Sequence, residues 1–259
     1  MFFIDVQGTL IDDKNKQPIR GAVTFIDHLN TSNIPYMIIT NNTKYTSNDF
    51  LAYLNSLGLA IPKERYLDPL MVLESHIQPN ETIAAYGSKA FCDVLLTMGY
   101  MLEYTKPDCV LLAIKEDFTS DEYAQMIAFI LAGSRLIGMH ETSLYAKNHK
   151  RYPGVGAILK MLEFATSCSY AVVGKPSEPF FDEALACIKK QNASSCFKDI
   201  SIISDDMSGD LIGAQELGMK GIFVLSGKYR TRDEILPQLR LNQQPYAVYE
   251  DMQEVLESL

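Results

Sequence analysis

The alternation of short apolar runs with helix-length amphipathic segments constrains this chain most. Residues 2–6, 22–32, 35–40 and 48–57 read in turn as strand, helix, strand and helix. Such a repeat joins parallel neighbours, so it predicts a parallel sheet with helices on its faces. Tyr36-Met37-Ile38-Ile39 and Ile200-Ser201-Ile202-Ile203 are apolar almost throughout, as strands covered on both faces require. The same grammar closes the chain, with strands over 221–225 and 247–249 and a helix from residue 251. Between them, 68–170 carries its own alternation: strands over 82–86 and 109–114, helices over 89–98, 120–132 and 154–166. That stretch is long enough for a separate α/β domain. The predicted organisation is therefore 1–67 with 171–259 as one domain and 68–170 inserted into it.

Composition narrows the function classes. The chain has 259 residues, 47% of them hydrophobic and 21% charged, which is the make-up of an ordinary globular protein. Its net charge of -9, with no Lys/Arg run longer than two, argues against nucleic acid or an anionic membrane surface as partner. A small molecule is the expected partner. No apolar run is long enough to span a bilayer, and no basic segment with a long apolar stretch opens the sequence, which predicts a cytoplasmic protein. The five cysteines are widely spaced and include no C-x-x-C pair, in keeping with reduced thiols.

Ligands of open parallel sheets sit beyond the carboxyl ends of the strands, so the residues that follow each apolar run carry the chemistry. After the first run comes Asp5-Val6-Gln7-Gly8-Thr9-Leu10, and after 35–40 come Thr40-Asn41-Asn42-Thr43. Residues 171–173 lead into Gly174-Lys175-Pro176, and Ile202-Ile203 lead into Ser204-Asp205-Asp206-Met207-Ser208-Gly209-Asp210. A carboxylate at a strand end can attack phosphorus and split hydrolysis into two steps. Thr40 and Asn41 offer hydroxyl, amide and backbone N–H groups to phosphate oxygens, and Lys175 offers a point charge. Simpler roles exist for each. A lone Asp at a strand end commonly shapes a turn, and Thr40 and Asn41 suit a helix cap. Asp206 reads as a solvated neighbour, and Ser208 and Gly209 as loop-shaping residues. Gly227-Lys228 lacks the upstream glycine spacing and the following Ser/Thr of a phosphate-binding loop, so no catalytic role is expected of it.

Taken in order, the four loops resemble the signature of haloacid dehalogenase (HAD) phosphatases. An insert between the second and third loops resembles the NagD-type, class IIA subgroup. The resemblance covers nearly the whole chain. It implies an α/β fold: a Rossmann-like core with a parallel sheet, plus a large inserted α/β cap. It also implies Mg²⁺-dependent hydrolysis of a small phosphorylated metabolite through an aspartyl-phosphate on Asp5. The implied metal ligands are Asp5, the backbone carbonyl of Gln7 and Asp205, with Asp210 bound through water or orienting a ligand. Thr40, Asn41 and Lys175 would hold the phosphate, and the cap could offer a homodimer surface.

The sequence departs from that family at one point. HAD phosphatases usually carry a second aspartate two residues after the nucleophile, as general acid and base, and this chain has Gln7 there. An amide cannot give and recover a proton at neutral pH, which removes a contribution of about a hundredfold to ten-thousandfold. A slow phosphatase, an enzyme with another proton carrier, and a phosphometabolite-binding or regulatory protein without efficient turnover all fit. His140, in His140-Glu141-Thr142 where related sequences often have Asn-x-Asp, is the candidate substitute carrier. Its plainer reading is a surface histidine.

Overall fold

The computed structural model describes residues 1–147 and 150–259. In chain order its strands are β1 (Phe2–Ile4), β2 (Tyr36–Ile39), β3 (Tyr66–Leu67), β4 (Thr82–Tyr86), β5 (Met101–Leu102), β6 (Cys109–Leu112), β7 (Arg135–Gly138), β8 (Leu144–Lys147), β9 (Lys150–Pro153), β10 (Tyr170–Val172), β11 (Ser201–Ser204), β12 (Lys220–Val224) and β13 (Ala247–Tyr249). The helices are α1 (Ala22–Thr31), α2 (Ser47–Ser56), α3 (Pro69–Leu73), α4 (Lys89–Thr97), α5 (Ser120–Leu131), α6 (Val155–Thr166), α7 (Glu178–Gln191), α8 (Ile212–Glu216) and α9 (Met252–Glu257). They divide into two compact units. One comprises Met1–Thr40, Asn48–Leu67 and Phe181–Leu259, the other Asn41–Ser47 and Asp68–Phe180.

The first unit is built on a six-stranded sheet of order β13-β12-β11-β1-β2-β3, parallel throughout. Phe3, Ile4, Ile38, Ile39, Ile202 and Ile203 are fully buried, which explains why these strands are apolar on both faces. Phe25, Ile26 and Leu29 give α1 its buried stripe, and Phe181 of α7 stacks on Phe3 with ring centroids 6.3 Å apart. From β1 the chain runs outward through β2 and β3, and later returns to the other side of β1 as β11. The sheet therefore changes direction between β1 and β11, and a crevice opens beyond their carboxyl ends.

The second unit carries a five-stranded parallel sheet of order β10-β7-β6-β4-β5 and an antiparallel pair, β8 and β9. Residues of α5 and α6, including Met126, Ile130, Leu159 and Leu162, pack on the sheet face that presents Ala84, Tyr86, Val110 and Leu112. Thr119 starts α5 with a reciprocal cap: its hydroxyl accepts from Glu122 N–H, and the Glu122 carboxylate accepts from Thr119 N–H. The expected boundary at 170/171 differs from this arrangement. Tyr170–Val172 pair with β7 as the edge strand of the second sheet, because their short apolar run is satisfied by that open edge. The mixed α/β architecture is the one expected. Among the described residues no helix is long and apolar enough to cross a membrane.

Candidate active site

Residues of the first unit converge at the crevice between β1 and β11. The register Ile4↔Ile203 places Asp5 and Asp205 just beyond neighbouring strand ends, and the Asp5 N–H donates to the Ile203 carbonyl at 2.9 Å. Both carboxylates are buried. Burial raises the Asp205 carboxyl well above the usual carboxylate range, and the negative charge of Asp5 raises it further. Asp206 and Asp210 add to that push, while the Lys228 N–H opposes it.

The loop after β1 turns tightly, with the N–H groups of Leu10 and Ile11 both donating to the Val6 carbonyl. Gly8 has φ +78° and faces Asp205 so closely that a Cβ would overlap its carboxylate. Gly227 presses on the same carboxylate from the loop after β12, and a Cβ there would overlap it as well. Three hydrogen bonds fasten this cluster. Asp205 N–H donates to Thr9 Oγ1 at 3.2 Å, Lys228 N–H to Asp205 Oδ2 at 2.6 Å, and Ser226 Oγ to the Gly8 carbonyl at 2.7 Å.

Gln7 and Thr40 meet across the sheet, with Thr40 Oγ1 donating to Gln7 Oε1 at 2.9 Å. That bond uses the one proton of the Thr40 hydroxyl. A half-turn of the Gln7 amide would exchange donor for acceptor and release the Thr40 proton toward an anion. Asp210 is buried and accepts from Ser204 Oγ at 2.7 Å, inside a π-helical turn, Met207–Leu211. Asp206, expected to be solvated, has two defined tasks: it caps that turn through Gly209 N–H at 2.9 Å and accepts from Lys228 Nζ at 2.7 Å. Against burial, which would lower it, the charge and hydrogen bond of Asp206 hold the Lys228 ammonium above its ordinary range.

Asn41 and Lys175 belong to the second unit and bind one another. Asn41 Oδ1 accepts from Lys175 N–H at 2.9 Å, and Asn41 Nδ2 donates to the Lys175 carbonyl at 3.3 Å. The Lys175 side chain is buried, and its peptide bond to Pro176 is cis. His140, also in this unit, is not a surface residue. It is 6% exposed at the end of β7, its Nδ1 is 2.9 Å from Thr142 Oγ1, and burial pushes its pKa down to about 4. Gly227 and Lys228, of which no catalytic role is expected from the sequence, both press on Asp205, and Thr9 and Ser226 join them without being singled out by residue type. Thr9 lay inside a loop already singled out, but Lys228 acts through its backbone N–H, which no residue type announces.

Among the described residues no three His, Cys, Asp or Glu side chains converge into a ready-made metal cage. The ligands that the resemblance implies, Asp5, Asp205 and the Gln7 carbonyl, would be a smaller, all-oxygen set, and the first two are buried at neighbouring strand ends. It suits Mg²⁺, which uses one or two carboxylates and retains water, and the mutual repulsion of two buried carboxylates is what a divalent cation relieves.

Two family profiles, described as haloacid dehalogenase-like hydrolase and HAD-hydrolase-like, match residues 2–101 and 172–255. The chain belongs to the haloacid dehalogenase-like hydrolases. Among its relatives is haloacid dehalogenase-like hydrolase domain-containing protein 2 of Pongo abelii, 29% identical over 252 residues and covering 95% of this chain and 90% of that one. The acid sugar phosphatase of Staphylococcus saprophyticus is 23% identical over 262 residues, covering 100% and 97%. The HAD fold is shared with the p-nitrophenyl phosphatase from Archaeoglobus fulgidus (TM-score 0.82, 22% identity, 100% and 98% covered). NagD from E. coli K-12 shares it too (TM-score 0.75, 20% identity, 98% and 96% covered).

Proposed function

We propose that this HAD hydrolase is a Mg²⁺-dependent phosphatase that transfers the phosphoryl group of a small phosphomonoester to Asp5 and then to water. The observation that carries the reading is the buried Asp5 and Asp205 pair at neighbouring strand ends, with Asp205 raised by burial and by the charge of Asp5. Mg²⁺ held by Asp5, Asp205 and the Gln7 carbonyl would lower the repulsion between two anions that must meet. An Asp5 carboxylate oxygen attacks phosphorus, and the bond to the leaving oxygen breaks. Water then attacks the aspartyl-phosphate, releasing inorganic phosphate and restoring Asp5. Thr40 donates to a phosphate oxygen once the Gln7 amide has turned. Asp210 acts behind the pair, fixed by Ser204. The phosphate-binding roles of Asn41 and Lys175 rest on the motif resemblance, supported by the paired hydrogen bonds that fix one against the other.

Gln7 has no acid proton to give, so the leaving group departs unassisted, and phenolates are favoured over sugar alkoxides. The same residue supports a second reading, a binding or regulatory protein. Phosphate release from a panel of phosphomonoesters and para-nitrophenyl phosphate separates the two. A slow phosphatase gives Mg²⁺-dependent release that Asp5→Asn abolishes and that Gln7→Asp raises by about a hundredfold or more for poor leaving groups. Release from no variant, in folded protein that binds Mg²⁺, would leave the binding reading.

A further inference from the structure

The crevice between β1 and β11 gathers carboxylates and hydroxyls whose protons are already placed. Ligation of Mg²⁺ requires Asp5 and Asp205 as carboxylates, so neither brings a proton to the reaction. Thr40 directs its hydroxyl proton at Gln7 Oε1, Ser204 at Asp210 and Ser226 at the Gly8 carbonyl. Asp206 accepts from Gly209 N–H and from Lys228 Nζ, which requires its carboxylate form. Gln7 itself carries an amide, which neither gives nor takes a proton at neutral pH. None of these side chains has a spare acidic proton for a departing group, and the carboxylates of Asp206 and Asp210 are tied to Lys228 and Ser204.

A crevice of this kind favours a leaving group that is stable as an anion. An alcohol departs as an alkoxide, about as basic as hydroxide, whose parent water has a pKa of about 15.7. A carboxylate is the anion of an acid with a pKa of about 4. We propose that the substrate class of this crevice is the acyl phosphates, mixed anhydrides of phosphate and a carboxylic acid, and that the phosphorylated Asp5 they leave is long-lived. The inference rests on the reading of Asp5 as nucleophile and changes the leaving group from an ester oxygen to a carboxylate. In the first step an Asp5 carboxylate oxygen bonds to phosphorus. The bond from phosphorus to the substrate's carboxylate oxygen breaks, and its electron pair stays with the departing carboxylate. One acyl phosphate becomes another, and no proton moves. In the second step water attacks the phosphorus, which restores the Asp5 carboxylate, frees inorganic phosphate and sheds a proton to solvent. Gln7 gives that water no base, so the phosphoryl group waits on Asp5. Other groups fit less well. Pyrophosphate brings more negative charge into a crevice already built from Asp5, Asp205, Asp206 and Asp210 in a chain of net charge -9. A phosphoramidate expels an amine, which needs a proton on nitrogen as an alcohol needs one on oxygen.

The test mixes the full-length chain and Mg²⁺ with radiolabelled acetyl phosphate, quenches with acid at intervals and counts the label retained on protein. Most chains should carry label during turnover, and Asp5→Asn should carry none. In steady state kcat/KM for acetyl phosphate should exceed that for glycerol phosphate by about a hundredfold or more, and should also exceed those for phosphoramidate and pyrophosphate. Gln7→Asp should narrow the preference for acetyl over glycerol phosphate by about a hundredfold and shorten the life of the label by a similar factor. Glycerol phosphate, phosphoramidate or pyrophosphate consumed as readily as acetyl phosphate by the natural chain would overturn the substrate class. Label on only a minority of chains during acetyl phosphate turnover would overturn the long-lived phosphoenzyme. Both of these readouts stand on the natural chain, so they hold even where Gln7→Asp fails to fold. Para-nitrophenyl phosphate keeps the two readings apart. Asp5-dependent release from it without a preference for acetyl phosphate sinks this inference alone, whereas no Asp5-dependent release from any compound sinks the phosphatase reading and this inference with it.

Discussion

At the scale of single residues, burial and charge decide what each group can do, and His140 shows the consequence for pH. Its ring is neutral at pH 7 because burial pushes its pKa to about 4, whereas in the unfolded chain it titrates near its ordinary 6.5. Between those values the unfolded state binds the extra proton. The contribution of His140 to stability is therefore complete above 6.5, declines as pH falls, and is exhausted below about 4, a loss of at most about 3 kcal/mol. Urea unfolding at a series of pH values should show the natural chain losing stability across this window more steeply than His140→Gln. Parallel curves would mean that the imidazole is solvated. A ring kept neutral can also accept a proton, so His140→Ala measured beside Gln7→Asp tests it as the substitute carrier. An inert His140→Ala removes that role.

At the scale of elements, the loops that follow β1, β11 and β12 work as one piece because two glycines let them close on Asp205. Gly227→Ala would drive a methyl group into the Asp205 carboxylate. Displacing a reacting group by about 1 Å costs on the order of a hundredfold in rate, so phosphate release should fall by about that factor. Lys228→Gln keeps the backbone N–H that binds Asp205 and should lose far less. Equal losses in the two variants would show that the ammonium, not the backbone, positions Asp205. This division also marks what the sequence made legible. Asp5, Thr40, Asp205 and Asp210 follow apolar runs long enough to recognise, and a polar residue in such a place is conspicuous. β3 and β5 have two residues each, too few to show a period. Tyr170–Val172 read plainly as a strand, but an apolar run says nothing about which sheet edge it joins. Asp206 looked solvated because its partner, Lys228, lies 22 residues away along the chain.

At the scale of the whole molecule, an acidic chain that keeps Asp5 and Asp205 together stores repulsion that a cation can release. The Asp205 carboxyl is raised in the folded state, so the stability linked to its protonation is complete below the ordinary carboxylate value of 3.8 and is lost as pH rises through the raised value. Above that point the metal-free protein carries two buried negative charges, and a cation that binds them must displace the Asp205 proton wherever it is still bound. Apparent Mg²⁺ affinity therefore climbs with pH over the window in which Asp205 ionises. Because a ligand of the native state stabilises in proportion to the logarithm of its saturation, the Mg²⁺-induced rise in Tm should climb with it. Thermal unfolding at fixed Mg²⁺, from mildly acidic to neutral pH, should show an increment that grows with pH in the natural chain and is largely lost in Asp205→Asn. A similar increment in Lys228→Gln would show that the backbone N–H, which that variant retains, is enough to hold Asp205 for the metal. A rise in Tm that ignores pH, or one that persists in Asp205→Asn, would place Mg²⁺ binding outside the crevice between β1 and β11.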